Sequence, residues 1–415
     1  MEKLSETLRE RGYVYQHSSE KLEEITDGPK RTVYLGVDPT ADSIHVGNLA
    51  QFMFLRRFAD AGHKIILIIG GGTALVGDPK PDVERSLTDA SIVAARAAKL
   101  KEQAEKILGG IEVKLVNNAD WLTSLDLMEF LRDTGKHFTV NNLIKKDAIS
   151  TRLKGEEGIS FTEFTYPLLQ AYDFWHLYKG YGCNVQIGGS DQWGNIVAGV
   201  DLIRRKENAT VYALSCPLVI DKATGKKFGK SEGNAVWLDA NMTSPYAFYQ
   251  FWLNASDESV RDYLNLFTLL SSAEIAAVME LHKRDAKERH AQQTLAREVT
   301  ALVHGEHDAT KAEQVSRVLF GDEPITSLDD ASIAALKSAA PCGEVAEDTP
   351  IVDALVNSGL ASSKTEARRF VKEKSVSLNG QVIVDVDQKL VARNFHKGIA
   401  LLKRGKRTVS VLVLK

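Results

Sequence analysis

Residues 32–69 read TVYLGVDPTADSIHVGNLAQFMFLRRFADAGHKIILII, and they decide the class of fold. Thr32 to Val37 is a short β-rich run that ends in Asp38-Pro39-Thr40. Leu49, Phe52, Met53, Leu55, Phe58 and Ala59 then recur at helical spacing, Ala61-Gly62 closes that helix, and Lys64 to Ile69 is a second apolar strand. The pattern predicts a βαβ unit. Further strands fit Glu112 to Val116 and Asn184 to Ile187, and a helix follows Asp191. The chain to about residue 220 is therefore expected to form a parallel, doubly wound (Rossmann-like) sheet, an α/β fold whose ligands sit at the carboxyl ends of the strands.

Beyond Ser244 the strand signals vanish and amphipathic runs such as Ala273 to Arg284 and Gln293 to Val303 predict a helical domain. Residues 322–348 hold Pro324 and Pro341 around an Ala/Ser-rich middle, which reads as a partly helical connector. The expected organisation is a sheet domain at 1–225, a helical domain at 226–330, a linker at 331–349 and a small domain at 350–415. That last segment holds thirteen Lys and Arg against five Asp and Glu, a net of +8, so the rest of the chain carries −11 within a total of −3. A basic module on an acidic body fits nucleic acid as partner, although a solvated helix face would look alike.

At 415 residues with 44 % hydrophobic and 26 % charged residues, the chain is neither a disulfide scaffold nor disordered. Cys183, Cys216 and Cys342 make neither a metal-ligand pair nor an even disulfide set, which suits a reducing compartment and a cytoplasmic protein. The polar stretch Met1 to Glu20 reads as no export signal, and the most apolar run, Ile65 to Ile69, is too short for a bilayer, so no membrane association is expected.

Four clusters carry chemistry. The first joins Tyr34-Leu35-Gly36-Val37-Asp38-Pro39-Thr40 to Ser43-Ile44-His45-Val46-Gly47-Asn48. Asp42 and Ser43 fit as N-caps and Gly47 as a packing glycine, yet a His in the first helical turn after a parallel strand also stands where a phosphate is favoured. The second, Lys226-Lys227-Phe228-Gly229-Lys230-Ser231, suits a solvated loop or a clamp on a polyphosphate leaving group. In the third, Tyr166, Gln170 and Asp173 stand at i, i+4 and i+7, a polar helical stripe that is either a surface face or a ligand wall. The fourth, Gln186 to Asn195, offers Gly188-Gly189 for close backbone approach and Asp191 as an acceptor for ribose hydroxyls, though an unliganded turn reads the same.

Taken together, the clusters resemble the bacterial tyrosyl-tRNA synthetase family, class I aminoacyl-tRNA synthetases, over almost the full length. His45-Val46-Gly47-Asn48 is similar to the class sequence His-Ile-Gly-His, and Lys227-Phe228-Gly229-Lys230-Ser231 to Lys-Met-Ser-Lys-Ser. The resemblance implies a Rossmann-like catalytic domain with a dimerisation insertion near 120–165, a helical anticodon-binding domain and a small α+β RNA-binding domain. It implies two-step chemistry: L-tyrosine and MgATP give tyrosyl-adenylate and diphosphate, and tyrosine then passes to the 3′-terminal ribose of tRNA. ATP with Mg2+ is substrate, and neither a tightly bound cofactor nor a protein-held metal is implied.

By the same resemblance, Thr40, His45, Lys227, Lys230 and Ser231 surround the leaving diphosphate, and Asn48 joins that catalytic set. Gly36, Asp38, Gly47, Gly189, Asp191 and Lys230 serve ATP. Tyr34 and Asp173 take the phenol hydroxyl, Asp78, Tyr166 and Gln170 the ammonium group, with Gln186 and Gln192 nearby. Lys364, Arg368 and Arg369 on a carboxyl-terminal helix would meet tRNA phosphates, beside a strand and turn at Val376 to Gly380. The family is a homodimer, for which Trp121, Leu125, Phe130 and Phe161 are the apolar candidates. Two departures stand out: Asn48 replaces the second His, and residues 80–85, from Lys80 to Arg85, stand where the family often has a Gly-Lys pair. The alternatives are the sister enzyme for tryptophan, an RNA-binding protein without activation, and a relative that activates tyrosine for a small acceptor.

Overall fold

β2 (Thr32–Val37) lies at the centre of a six-stranded sheet with β1 (Gln16–His17), β3 (Lys64–Ile69), β4 (Val113–Asn117), β5 (Val185–Gly189) and β6 (Tyr212–Cys216), in the order β1-β6-β5-β2-β3-β4. β2 to β6 are parallel, and two-residue β1 closes the edge antiparallel to β6. β1 and β6 were not read from the sequence, whereas β4 was, one residue out of step at each end. The structure is a computed structural model that describes every residue except 1, 2, 81–86, 156, 157, 221, 223, 224, 226, 227, 229, 232, 233, 322, 406 and 407. At Asp147, Lys230, Ser231 and Asn234 it describes the backbone alone.

The chain divides into two units, Met1–Met242 with Ser256–Ala291, and Thr243–Ala255 with Gln292–Lys415. In the first, helices Val46–Asp60, Ala90–Ile107, Phe161–Tyr181 and Trp193–Glu207 connect the parallel strands. The strands run outward from β2 through β3 to β4, then resume on its other side with β5 and β6. That reversal opens a crevice at the carboxyl ends of β2 and β5, and the register sets Tyr34 directly beside Gln186.

Helix Val260–Phe267 also belongs to this unit, although the sequence placed it in a separate helical domain. Polar capture of its carboxyl end accounts for this. The buried Arg11 guanidinium donates to the carbonyls of Asn265 (2.9 Å), Thr268 (3.3 Å) and Leu270, Arg57 donates to Thr268 (2.6 Å), and the Tyr13 hydroxyl donates to Leu266 (2.5 Å). Buried cations without such acceptors would be costly, so these bonds hold the helix in place.

In the second unit, helices Glu306–Phe320 and Asp330–Ala339 and a five-stranded sheet share a core. That sheet has the order β11 (Gln381–Val382), β10 (Val376–Leu378), β12 (Ile399–Arg404), β13 (Thr408–Leu414), β9 (Cys342–Val345). Ile399 and Leu401 pack with Val315, Leu319 and Leu336 on one face, while Ala400 and Leu402 pack with Leu355, Ala367 and Val371 on the other. The stretch read as a linker is therefore partly core: Ile333 and Leu336 are buried and β9 pairs parallel with β13. The turn read at Asn379-Gly380 joins β10 to β11, both residues at positive φ (50° and 84°), as a tight hairpin requires.

Gly199 tests the packing of the crossover helices. A methyl group there would lie 2.9 Å from Cδ1 and 3.1 Å from Cβ of fully buried Phe174. Gly199→Ala is expected to lower unfolding stability by about 1–3 kcal/mol in urea titration. An unchanged midpoint would contradict this packing.

Candidate active site

The crevice between β2 and β5 is a cavity of about 270 Å³. Of the residues the sequence pointed to, Tyr34, Gly36, Asp38, Thr40, His45, Asn48, Asp78, Tyr166, Gln170, Asp173, Gln186, Asp191 and Gln192 all line it. Gly36 contributes bare backbone, since a Cβ there would meet nothing within 4 Å. Three buried polar atoms on the wall have no protein partner among the described residues: the Tyr34 hydroxyl, Gln170 Oε1 and Gln186 Oε1. Each costs free energy unless a ligand pairs with it, so the wall is built for a polar guest.

Asp173, on the cavity wall, is 3 % exposed. Its two oxygens accept from Asn118 Nδ2 (2.9 Å) and Trp121 Nε1 (2.7 Å). Burial pushes its carboxyl up to about 7, against the two donors that favour the ion. Burial, then the Asp173 charge, raises the Tyr34 phenol well above its ordinary value, keeping it a neutral hydroxyl. Asn118 also accepts from the Gly72 N–H (2.7 Å) and donates to Thr73 Oγ1 (3.0 Å). Thr73 donates to Asp38 (2.7 Å), which accepts from the Tyr166 hydroxyl (2.8 Å) as well. Gly70 is required at this point, because a Cβ there would lie 1.8 Å from Asp38 Oδ1.

A second carboxylate, Asp78, accepts from Gln192 Nε2 (2.8 Å) and Asn195 Nδ2 (3.1 Å), and burial lifts it to about 6. Behind it, Lys146 donates to the Gly194 carbonyl and to Asn195 Oδ1 (3.5 Å). Burial brings that ammonium down to about 8, partly opposed by Asp78. The floor is thus anionic and hydrogen-bonding, fit for a cationic head and a hydroxyl donor.

His45, not Asp42 or Ser43, caps helix Val46–Asp60: its Nδ1 accepts from the Gly47 N–H (3.0 Å), which leaves Nε2 as the ring's other hydrogen-bonding position. Ser43 is engaged instead by Gln103 and the Asp239 N–H. Gly47 is boxed in, since a Cβ would lie 2.8 Å from His45 Cε1 and 3.1 Å from the Phe228 carbonyl oxygen. The His-Val-Gly-Asn turn and the lysine-rich stretch are therefore neighbours. β7 (Lys230–Ser231) pairs with β8 (Asn234–Ala235), after which Val236 accepts from the Val46 N–H (3.0 Å) and Leu238 donates to Ile44 (2.9 Å). Lys227 and Arg85 lie outside the described residues, and of Lys230 and Ser231 only the backbone is described.

Gly47 and Gly189 shape the cavity from behind its wall; a Cβ at 189 would lie 2.6 Å from Asp191 Oδ1. In the second unit, Ser363 caps helix Lys364–Lys372. Lys364 pairs with Asp353 (2.7 Å) and Arg369 lies near Glu366 (3.6 Å), whereas Arg368 makes no ion pair among the described residues. One expectation is corrected: Trp121, read as a surface residue, is 9 % exposed and serves Asp173, its ring stacked on His176 (4.3 Å). Asn118, Thr73, Asn195 and Lys146 were not read from the sequence. A buried carboxylate demands donors, but only the fold says which residues supply them.

A family model described as tRNA synthetases class I (W and Y) matches residues 26–321, and one for the tyrosine–tRNA ligase SYY-like C-terminal domain matches 332–412. A tyrosine–tRNA ligase of Streptomyces griseus is 45 % identical, covering 99 % of each chain. One of Roseiflexus castenholzii is 44 % identical over 98 % of each. Among solved structures, a C-terminally truncated mitochondrial tyrosyl-tRNA synthetase of Aspergillus nidulans superposes with a TM-score of 0.71 at 32 % identity, covering 77 % of this chain and 95 % of that one.

Asn118→Ala removes a donor to the ionised form of Asp173, so the carboxyl should titrate above its present value of about 7 when followed by carboxyl-carbon NMR. A midpoint that stays or falls would contradict the assigned bond.

Proposed function

The chain belongs to the class I tRNA synthetases and, within them, to the tyrosine–tRNA ligases, and on that premise we propose how its cavity does the work. It is an ATP-dependent enzyme that joins tyrosine to tRNA. The observation that carries the substrate reading is the presence, in one cavity, of an unpartnered Tyr34 hydroxyl and the buried Asp173 carboxylate. A phenol satisfies both, donating to Asp173 and accepting from Tyr34. Phenylalanine leaves both desolvated and unpaired.

The substrate's ammonium group takes Asp78, Tyr166 and Gln170, whose free Oε1 is an acceptor in want of a donor. Gln186 and Gln192 complete this wall. The tyrosine carboxylate attacks the α-phosphorus of ATP, which enters with Mg2+ as substrate, so the enzyme supplies no nucleophile. Its contribution is to position the reactants and to offset charge on the departing diphosphate. Thr40, His45, Lys227, Lys230 and Ser231 serve that group, Gly47 and Asn48 lie against the nucleoside, and Gly36, Asp38, Gly189 and Asp191 hold the ATP or adenylate. Open space at Gly36 and the capped helix start behind Gly47 support this arrangement.

Catalysis is assigned to the sheet domain read at 1–225, anticodon binding to the helices read at 226–330 and tRNA binding to 350–415, with Lys364, Arg368 and Arg369 on phosphates; the limits are amended where helix Val260–Phe267 belongs to the first unit and 331–349 is partly core. A homodimer through the insertion is supported by exposed Leu127, Met128, Val140, Leu153 and Phe161, the last 77 % exposed. No helix of the described residues is long and apolar enough to cross a membrane. Unpaired Cys183, Cys216 and Cys342 support a cytoplasmic setting.

Amino-acid-dependent ATP–diphosphate exchange tests the reading: it should proceed with tyrosine and fail with phenylalanine and tryptophan. Exchange with tryptophan but not tyrosine overturns the substrate. The pH dependence has a definite sign. Binding needs Asp173 and Asp78 ionised, so as pH falls through about 7 and then about 6 a proton must be expelled. KM for tyrosine should rise roughly twenty-fold between pH 8 and pH 6; a flat profile would contradict it. Arg368→Glu should raise KM for tRNA and leave exchange unchanged, and equal charging would remove the helix from the tRNA path.

A further inference from the structure

The segment that carries the signature lysines meets one helix at two places. At Lys222, the backbone N–H donates to Ser259 Oγ (3.3 Å) and the ammonium pairs with Asp262 (2.5 Å). At Phe228 the ring turns inward, 7 % exposed, with its centroid 4.5 Å from Tyr263 and 5.5 Å from Phe267. Ser259, Asp262, Tyr263 and Phe267 stand at i, i+3, i+4 and i+8, so a single face of helix Val260–Phe267 and its N-cap receives both contacts.

The same helix is held at its carboxyl end by Arg57, through the Thr268 carbonyl (2.6 Å), and by Arg11 and Tyr13. Arg57 belongs to helix Val46–Asp60, which opens at His45. The Phe228 carbonyl reaches that opening, where it leaves no room for a side chain at Gly47, and its N–H donates to Val219 (2.9 Å). One helix pair thus fixes both ends of the arrangement: the histidine cap directly, and the lysine segment through a buried aromatic ring. Lysines on a long flexible stem lose charge-stabilising power unless their backbone is placed before the reaction.

We propose that Phe228 is the anchor of the lysine segment, a positioning residue that docks on Tyr263 and Phe267 and so presents Lys227 and Lys230 to the leaving diphosphate. It touches no substrate. The proposal rests on reading those lysines as the leaving-group clamp. Tyrosine-dependent ATP–diphosphate exchange by the full chain tests it. Phe228→Ala should lower kcat at least ten-fold and leave KM for tyrosine within two-fold, since Tyr34 and Asp173 are untouched, and Phe228→Met should restore most of the rate. Phe267→Ala should also lower kcat, with the double variant no slower than the slower single one. If Phe228→Ala does not fold, Phe228→Val reads the same split. Unchanged kcat in the folded variant, or a parallel loss in kcat and tyrosine KM, overturns the anchor. Lys230→Ala separates the two readings: full activity there overturns the clamp and the anchor together, while a lost rate beside a normal Phe228 variant overturns the anchor alone.

Discussion

A carboxylate sealed from bulk water at Asp173 is the constraint around which the catalytic unit is organised. An ion so placed must be met by donors, and Asn118 and Trp121 meet it from the segment after β4. Asn118 then holds Thr73, Thr73 holds Asp38, and Asp38 holds Tyr166, which stands two turns before Asp173 on the same helix. The chain of bonds closes on itself through helix Phe161–Tyr181. Networks of this kind are rigid when every member is satisfied. The unsatisfied atoms, Tyr34 Oη, Gln170 Oε1 and Gln186 Oε1, are on the cavity wall, so the rigidity is spent on presenting them.

In the proposed function, selectivity and catalysis occupy different parts of the same crevice. The end assigned to tyrosine is lined by Asp173 and Asp78, and its proposed chemistry is recognition by hydrogen bonds that the wrong ring cannot return. The nucleotide end is open backbone, a helix start capped by His45 and a lysine segment drawn in by Phe228. The first discriminates by leaving groups unpaired; the second accelerates by placing charge where it develops. Membership in the tyrosine–tRNA ligases agrees with both.

Much of this was legible in the chain. The βαβ unit at 32–69 is seen with the same strand limits, because apolar strands and a 3.6-residue stripe are local signals. The stripe of Tyr166, Gln170 and Asp173 was a choice between surface and ligand wall, and all three residues line the cavity. What escaped has a common cause. β1 and β9 are too short for periodicity, helix Val260–Phe267 joins the sheet unit through carbonyls that any residue possesses, and Asn118 and Trp121 serve Asp173 from more than fifty residues away. Contacts of that range leave no spacing to read.

The central claim is that the ring hydroxyl of the substrate is recognised by Asp173 and Tyr34 together. Calorimetric titration of the chain and of Asp173→Asn with tyrosine and phenylalanine addresses it without the complication of turnover. The native chain should bind tyrosine far more tightly than phenylalanine, and the variant should lose most of that preference. Tyrosine preference that survives intact in Asp173→Asn would show that the hydroxyl is read somewhere else.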